Sequence, residues 1–166
     1  MKTIYIGFSY HKGFAPISYI IRKVLKTDFS HTYFKFKQEN LDYSTIYHAV
    51  GKGLNYISEP NFLEDNTVVK EFKLEIDDEL YIHILNLCHN NAYKKYGFLQ
   101  NLGIFFVKIL KKFNITYRRN PFNDGINCSE WNAKILFSIY PDWSNKSTDL
   151  IDPKDCFLFL KEKFPG

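Results

Sequence analysis

The stretch that decides the fold is 31-HTYFKFK-37, in which polar and apolar side chains alternate. Alternation with a period of two is typical of a half-buried β-strand. The polar segment Gln38 to Leu41 follows it, and a second β-like run extends from Tyr43 to Val50. The two runs therefore predict a β-hairpin of antiparallel strands.

The register of this hairpin decides which side chains meet across it. If residues 38–41 form a four-residue loop, Lys37 pairs with Asp42 and His31 pairs with His48. Directly opposed residues of an antiparallel pair share a face, with side chains about 5 Å apart. We therefore expect His48 to hydrogen-bond and orient the His31 ring, which is how a third polar group holds a general base. A slip of one residue would place a neighbour of His48 opposite His31 instead.

Hydrophobic periodicity predicts further strands and helices around the hairpin. The expected antiparallel sheet and its covering helices make a single α+β domain that spans residues 1–166. An apolar helix in the second half is expected to be a core helix, to face a partner or to line an acyl pocket. The predicted strands are Thr3–Phe8, Leu54–Ile57 and Thr67–Ile76; the predicted helices are Ile17–Leu25, one that starts near Asp77 and ends by Gly97, Leu99–Phe113, and one from Cys128 to before Pro141; Cys156–Phe164 is a strand or a short helix.

Composition and charge exclude several functional classes. The chain has 166 residues, 45% of them hydrophobic, and a formal net charge of +4. No basic stripe or reading motif for nucleic acid is present, so nucleic-acid binding is not expected. No apolar run reaches the roughly 18 residues of a spanning helix, and the N-terminus does not resemble a signal peptide. We therefore expect a soluble, cytoplasmic protein without stable membrane insertion, whose Asn-, Ile-, Lys- and Tyr-rich composition suggests a bacterial or phage genome.

Cys128 is the candidate nucleophile. It follows a loop and precedes Trp131, Ile135 and Ile139, which repeat at helical spacing. The thiol should therefore lie in the first turn of a helix, where the helix N-terminus and a nearby imidazole lower a thiol pKa. The alternative is that Asn127 or Ser129 merely caps the helix and Cys128 is a small buried apolar residue.

Two other cysteine chemistries are open on the sequence. His31, His48 and Cys128 are side chains of the kind that bind catalytic zinc, although no closely spaced ligand pair anchors them, so no metal is our first expectation. A thiol redox sensor would need a resolving cysteine near Cys128, and only Cys88 or Cys156 could serve. Three widely spaced cysteines do not indicate a disulfide framework, which fits a reducing compartment.

Five segments together resemble a known family. They are Ile4–Ser9, Pro16–Lys26, Asp28–Thr32, Tyr47–Gly53 and Asn127–Glu130. In this order and spacing they are similar to the circularly permuted NlpC-type papain-like hydrolases, which include YiiX-like proteins and the lecithin:retinol acyltransferase group. The resemblance implies an α+β papain-like fold in which an antiparallel sheet packs against helices and the nucleophile begins a helix.

Carried over to this sequence, the resemblance implies Cys128 as nucleophile, His31 as general base and His48 as the orienting residue. YiiX-like members often have Glu in the place of His48, whereas the acyltransferase group can have His. A membrane anchor like that of the acyltransferases is not found in the sequence, which favours a hydrolase over a lipid acyltransferase. Candidate oxyanion or substrate contacts are Tyr5, Tyr10 and Asn127.

The expected reaction is cysteine peptidase or amidase chemistry without a cofactor. A Cys128 acyl-enzyme would form from an amide or an ester and would then be hydrolysed. The resemblance offers a peptide, an isopeptide, a peptidoglycan peptide or a lipid-acyl substrate. The alternative from another class is a catalytically inactive module of the same fold that binds a peptide or a lipid. The sequence leaves the oligomeric state open.

Overall fold

The computed structural model describes residues 1–13, 15–37, 42–122 and 124–165. Over these residues the chain is an α+β protein with five β-strands, six α-helices and one short 3-10 helix. In chain order the elements are β1 Lys2–His11, α1 Pro16–Leu25, β2 His31–Lys37, β3 Ser44–Val50, β4 Gly53–Ser58, α2 Glu59–Asp65, β5 Asn66–Ile76, α3 Asp78–Asn91, α4 Phe98–Lys111, α5 Cys128–Ile139, the 3-10 helix Thr148–Leu150 and α6 Pro153–Lys163.

The strands form one open antiparallel sheet in the order β4-β3-β2-β1-β5. The first strand, β1, lies between β2 and β5, and its residue Ser9 pairs with His31 at the start of β2. The β1–β5 register shifts between Phe8 and Ser9, as at a β-bulge. The sequence prediction of an antiparallel sheet with flanking helices is thus confirmed.

The two faces of the sheet are covered differently because successive side chains point to opposite faces. One face carries the main core, in which Phe34 and Tyr47 pack with side chains of α3, α5 and α6. The other face carries a small cluster of Tyr33, Ile46 and Phe62, and Phe62 belongs to α2. Cys128 belongs to the first cluster.

The short helix α2 has no counterpart in the sequence prediction. Ser58 caps it by accepting the Asn61 N–H, and Pro60 occupies its first turn. Both are signals of a helix start. Seven residues between two strands are too few to display a helical repeat, which is why periodicity did not detect α2.

The hairpin of β2 and β3 forms, but its predicted register is wrong by two residues. Lys37 pairs with Ser44 and Phe34 with Tyr47. The predicted four-residue loop, 38–41, lies outside the described residues. A slip of two residues keeps every side chain on its predicted face, because the strand period is two. Continuing this register puts His48 opposite Tyr33, on the same face as His31 and diagonal to it.

Two helices depart from the expectation that their apolar side faces the core. On α1 only Ile21 and Leu25 are buried. On α4 the buried residues include the polar side chains Gln100 and Asn101, whereas most of the large apolar side chains are exposed. The predicted core helix Leu99–Phe113 is therefore mainly a surface helix.

The C-terminal elements agree with the sequence. The helix α5 begins at Cys128, and α6 is the helical alternative of the strand-or-helix prediction. The helix α3 ends at Asn91, before Gly97. Among the described residues, no helix is both long enough and apolar enough to cross a membrane.

Candidate active site

Cys128 is the first residue of α5, and Asn127 caps this helix. The Asn127 side-chain carbonyl accepts the Glu130 N–H at 2.8 Å and the Ser129 hydroxyl at 2.9 Å. The Ser129 hydroxyl also donates to the Ile151 carbonyl, at 2.7 Å. These bonds fix the turn that carries the thiol, because the orphan donors at the helix start have partners.

A buried glutamine of α4 holds this turn from the other side. The Asn127 N–H donates to Gln100 Oε1 at 3.1 Å, and Gln100 Nε2 donates to Glu130 Oε2 at 2.6 Å. The Gln100 N–H in turn donates to Asp124. Sequence reasoning missed Gln100, although a polar residue in a strongly apolar helix is the signal that could have found it.

The Cys128 thiol is closed off from solvent and protonated. Its side chain is only 4% exposed. Burial raises the pKa of Cys128 to about 11, although backbone N–H groups of Thr32, Ser129 and Cys128 itself donate toward the sulfur and lower it. The expectation of a lowered thiol pKa is therefore wrong in this structure, because desolvation outweighs the helix N-terminus.

Two side chains beside the thiol have unused hydrogen-bonding capacity. Asn127 Nδ2 and Thr32 Oγ1 are buried without a hydrogen-bond partner among the residues that the structure describes. Asn127 already uses its carbonyl oxygen to cap α5, so its amide nitrogen is the free donor. A buried donor without a partner is costly, and such a group at a reactive centre is a candidate contact for substrate.

His31 and His48 lie in contact at the end of the sheet. His31 Nε2 and His48 Nδ1 are 3.3 Å apart, so one of them donates and the other accepts. His48 also hydrogen-bonds Asn55, its pairing partner on β4. The Phe62 ring packs against His48, with ring centroids 5.4 Å apart. The hydrogen bonds between Asn55 and His48 and between His48 and His31 thus orient the His31 ring. They use Nε2 of His31 and not its Nδ1.

Both imidazoles are neutral at physiological pH. Burial first, and the charge of a protonated His48 second, lower the pKa of His31 to about 3. Burial also lowers the pKa of His48 to about 4, and its hydrogen bond to Asn55 offsets part of this effect. A neutral imidazole can accept a proton, which is the first requirement of a general base.

The thiol and the histidine pair meet through the backbone. Thr32, whose N–H faces the Cys128 sulfur, directly follows His31. Within the described parts of both strands, the β2–β3 ladder ends at Phe34 and Tyr47, so the sulfur lies where the two strands no longer pair. Among the described residues no hydrogen bond joins His31 to Cys128. The structure therefore brings His31 and His48 together on the sheet face of Phe62, whereas Cys128 belongs to the core cluster of the opposite face and adjoins His31 only through the backbone of Thr32.

A groove of about 320 Å³ opens next to this end of the sheet. His31, Ile17 of α1 and Phe98 of α4 lie in its lining, together with Tyr96. Burial first, and the negative charge of a Cys128 thiolate next, raise the pKa of Tyr96. Tyr96 therefore lies close to the thiol. The Tyr96 hydroxyl accepts a hydrogen bond from Asn101. No pattern in the sequence distinguishes Tyr96 from the other tyrosines.

The two tyrosines predicted from the first strand have other contacts. Lys35 Nζ lies 4.7 Å from the centre of the Tyr5 ring, and Arg22 stacks on Tyr10 at 4.8 Å. Tyr5 is four residues along β1 from Ser9, the residue that pairs with His31. At the rise of a β-strand this separation is about 13 Å. Tyr5 thus belongs to a different part of the sheet, and Asn127 is the predicted oxyanion contact that adjoins the thiol.

The geometry gives little support to the two alternative cysteine chemistries, a zinc site and a thiol redox sensor. Within the described ranges, no group of three or more His, Cys, Asp or Glu side chains is placed to hold a metal ion. Cys88 and Cys156 are buried free thiols. Burial first, and neighbouring Asp155 and Cys128 next, raise the pKa of Cys156, so it is a neighbour of the candidate nucleophile but an unreactive one.

Comparison of the chain with family models and with curated proteins gives no match.

Proposed function

We propose that this chain is a thiol hydrolase with a permuted papain-like fold, in which Cys128 attacks an amide or ester carbonyl and His31 is the general base. The observation that carries the proposal is the proximity of the Thr32 backbone to the thiol: the Thr32 N–H lowers the pKa of Cys128, and Thr32 directly follows His31. Two further features support it. Cys128 begins a capped helix, and His48 engages Nε2 of His31, so that Nδ1 is the nitrogen that would have to take the proton of the thiol.

The proposed reaction has two stages. In the first, the Cys128 thiol passes its proton to His31 while the sulfur bonds to the substrate carbonyl carbon. The tetrahedral adduct then breaks its bond to the leaving nitrogen or oxygen, which takes the proton from His31. In the second stage, a water gives a proton to His31 and attacks the thioester, and Cys128 leaves and recovers the proton.

In the arrangement that the structure shows, transfer of the proton from Cys128 to His31 is unfavourable. The thiol has a pKa of about 11 and the His31 imidazole a pKa of about 3. At about 1.4 kcal/mol per pKa unit, the proton transfer costs on the order of 10 kcal/mol in this arrangement. We infer that substrate entry must bring polar groups or water to the site and move the His31 ring onto the sulfur.

The oxyanion would form where backbone donors already converge. The N–H groups of Cys128 and Ser129 are directed at the sulfur, as expected at a helix start. The unpartnered Asn127 Nδ2 supplies a side-chain donor beside them. Donors that are fixed before the reaction stabilise a developing charge without reorganising, which is the main source of oxyanion stabilisation.

The substrate would enter through the groove between α1 and α4. Ile17, Phe98 and Tyr96 give it largely apolar and aromatic walls, and His31 lies in its lining. Such walls suit an apolar or aromatic side chain or an acyl chain next to the scissile carbonyl.

The test is covalent labelling with p-nitrophenyl acetate, followed by peptide mass spectrometry. We expect an acetyl thioester on Cys128, and its rate of formation should fall about 10²–10⁴-fold in His31→Asn because the base is lost. Cys156→Ala is the matched control, since it removes a neighbouring buried thiol. Release of p-nitrophenol that is unchanged in Cys128→Ala would overturn the proposal.

A second candidate is a binding module that does not turn over its ligand. The protonated, 4% exposed thiol and the lack of a His31–Cys128 hydrogen bond among the described residues favour it. If the protein is a binding module, the wild type and Cys128→Ala should bind a ligand of the groove with equal affinity, and both should release it unchanged. Turnover that is lost in Cys128→Ala while binding persists would rule it out.

A further inference from the structure

A stripe of exposed apolar side chains runs along α4 and just beyond its end. Its members recur at alternating steps of three and four residues, and each is at least 41% exposed. They lie on the side of the helix opposite to Gln100 and Ile104, which are buried. The stripe consists of Leu99, Leu102, Phe106, Ile109 and Phe113.

The neighbouring helix α1 repeats the arrangement. Ile17, Ile20 and Val24 are exposed, whereas Ile21 and Leu25 are buried. Ile17 of α1 and Phe98 of α4 line the same groove, and a smaller cavity between the two helices is lined by Leu25 and Ile104. The two helices therefore present exposed apolar side chains on either side of the groove that contains His31.

Positive charge accompanies both apolar stripes. Residues 98–122 contain five Lys and Arg residues and no Asp or Glu, and residues 16–27 contain three and none. Because the whole chain carries a net charge of +4, the remainder of the chain is net negative. At the α4 end, the exposed basic side chains are Lys111, Lys112, Arg118 and Arg119.

We propose that this α4–α1 surface docks onto an anionic lipid bilayer. A helix with an apolar stripe and basic flanks lies in the plane of the interface, with its apolar side chains at the boundary between headgroups and acyl chains. Each Lys or Arg near an anionic surface adds attraction that salt screens. The proposal is independent of the chemistry of Cys128, although it would set the mouth of the groove against the membrane.

Charge decides between a bilayer and a second copy of the chain. In a two-fold symmetric dimer the same patch occurs on both sides of the interface. The Lys and Arg residues of 98–122 would then meet their own copies, and this segment contains no carboxylate to compensate them. Like charges that face each other across an interface are unfavourable. Anionic headgroups supply the missing negative charge.

The test is sedimentation of the full chain with sucrose-loaded vesicles. Vesicles of phosphatidylcholine and phosphatidylglycerol in equal parts should bind the protein, phosphatidylcholine vesicles should bind it much less, and added salt should release it. The double variant Leu102→Glu, Ile109→Glu should reduce partitioning about tenfold or more, because it places two carboxylates in the stripe. Its matched control is Ile82→Glu, Leu158→Glu, two equally exposed positions on α3 and α6.

Three results would overturn the proposal. They are failure to bind anionic vesicles at low salt, equal binding to both kinds of vesicle, and equal loss in the control variant. Light scattering after size exclusion tests whether a second copy of the chain covers the stripe. A wild-type dimer that becomes monomeric in the variant Leu102→Glu, Ile109→Glu would assign the stripe to self-association and would also overturn the proposal. Circular dichroism and thermal unfolding of each variant separate lost docking from lost folding, which exposed positions should not cause.

Discussion

The start of α5 and the outer side of α4 reverse the usual distribution of polar and apolar side chains. Near the start of α5 the interior contains the buried side chains of Gln100, Asn127 and His48, and the half-buried His31. On α4 large apolar side chains face outward instead. In the interior, Gln100 and Asn127 hydrogen-bond each other and Gln100 also bonds Glu130. In the exterior stripe, Phe106 lies near the rings of Tyr117 and Phe122, and its members are otherwise exposed.

This contrast teaches that hydrophobicity alone did not decide which helix is buried. The helix α4 is by sequence the more apolar of the two, yet the deeply buried helix is α5. The helix α4 turns Gln100 inward because Gln100 supplies both an acceptor for Asn127 and a donor for Glu130. An unmade hydrogen bond in this interior would cost about 1–3 kcal/mol, and single exposed apolar side chains are common on protein surfaces.

The largest expected effect comes from matched aromatic truncations on the two helices. Trp131 of α5 is fully buried against Tyr47, with ring centroids 5.2 Å apart, whereas Phe106 of α4 is 41% exposed. We expect Trp131→Ala to lower the free energy of unfolding by about 3–5 kcal/mol, and Phe106→Ala by less than about 1 kcal/mol. Urea unfolding measures both. Similar losses would mean that α4 packs against more of the chain than its exposure indicates.

The next effect is acid sensitivity of the polar interior. The folded pKa values of His31 and His48, about 3 and about 4, lie below the value of 6.5 for an unperturbed histidine. Between the folded and the unfolded pKa values, the unfolded chain binds protons at these histidines and the folded chain does not. The two sites therefore cost no stability above about pH 6.5, and the free energy of unfolding decreases as the pH falls toward the folded pKa values.

Between about pH 7 and pH 5 we expect a loss of about 2–4 kcal/mol from the two sites together. His48→Asn should remove roughly half of this slope, because it removes one of the two buried imidazoles. Urea titrations at several pH values measure it. A flat profile in wild type would mean that water reaches the imidazoles in the folded state.

A smaller effect is expected at the bond network between the two regions. Gln100→Ala leaves the Asn127 N–H without its acceptor and removes one partner of Glu130, which should cost about 1–3 kcal/mol. Asn91→Ala is the control, because among the described residues the Asn91 side chain makes one hydrogen bond, to the Leu87 carbonyl of its own helix. Alkylation of Cys128 by iodoacetamide should also become faster in Gln100→Ala, as the turn that buries the thiol loosens. Equal stability of both variants would contradict the role of Gln100.

The sequence predicted those parts of the site that local rules control. The period of a strand put His31 and His48 on one face, and the turn residues before Cys128 put the thiol at a helix start. The register could not be predicted, because it depends on the connection between Lys37 and Ser44 and a slip of two residues leaves the pattern unchanged.

What the sequence could not predict depends on contacts between distant elements. The inward direction of Gln100 is set by Glu130, thirty residues later. The direction of the Cys128 pKa shift was wrong because the sequence shows the helix start but not the burial that outweighs it. Tyr96 borders the thiol only because its segment pairs with Ile126 through an isolated bridge. Each is a tertiary effect that no periodicity encodes.

The smallest effect is a coupling that joins the two regions through Glu130. Its carboxylate accepts from Gln100 at 2.6 Å and pairs with Lys134 of its own helix at 2.8 Å. Lys134→Ala alone should cost less than about 1 kcal/mol, because Lys134 is partly exposed. The double variant with Gln100→Ala should cost about 0.5–1 kcal/mol more than the two single changes together, since the buried carboxylate then has neither partner. Additive losses in a double-mutant cycle would instead mean that Glu130 turns out to solvent once Gln100 is gone, and that α4 and α5 are joined by packing alone.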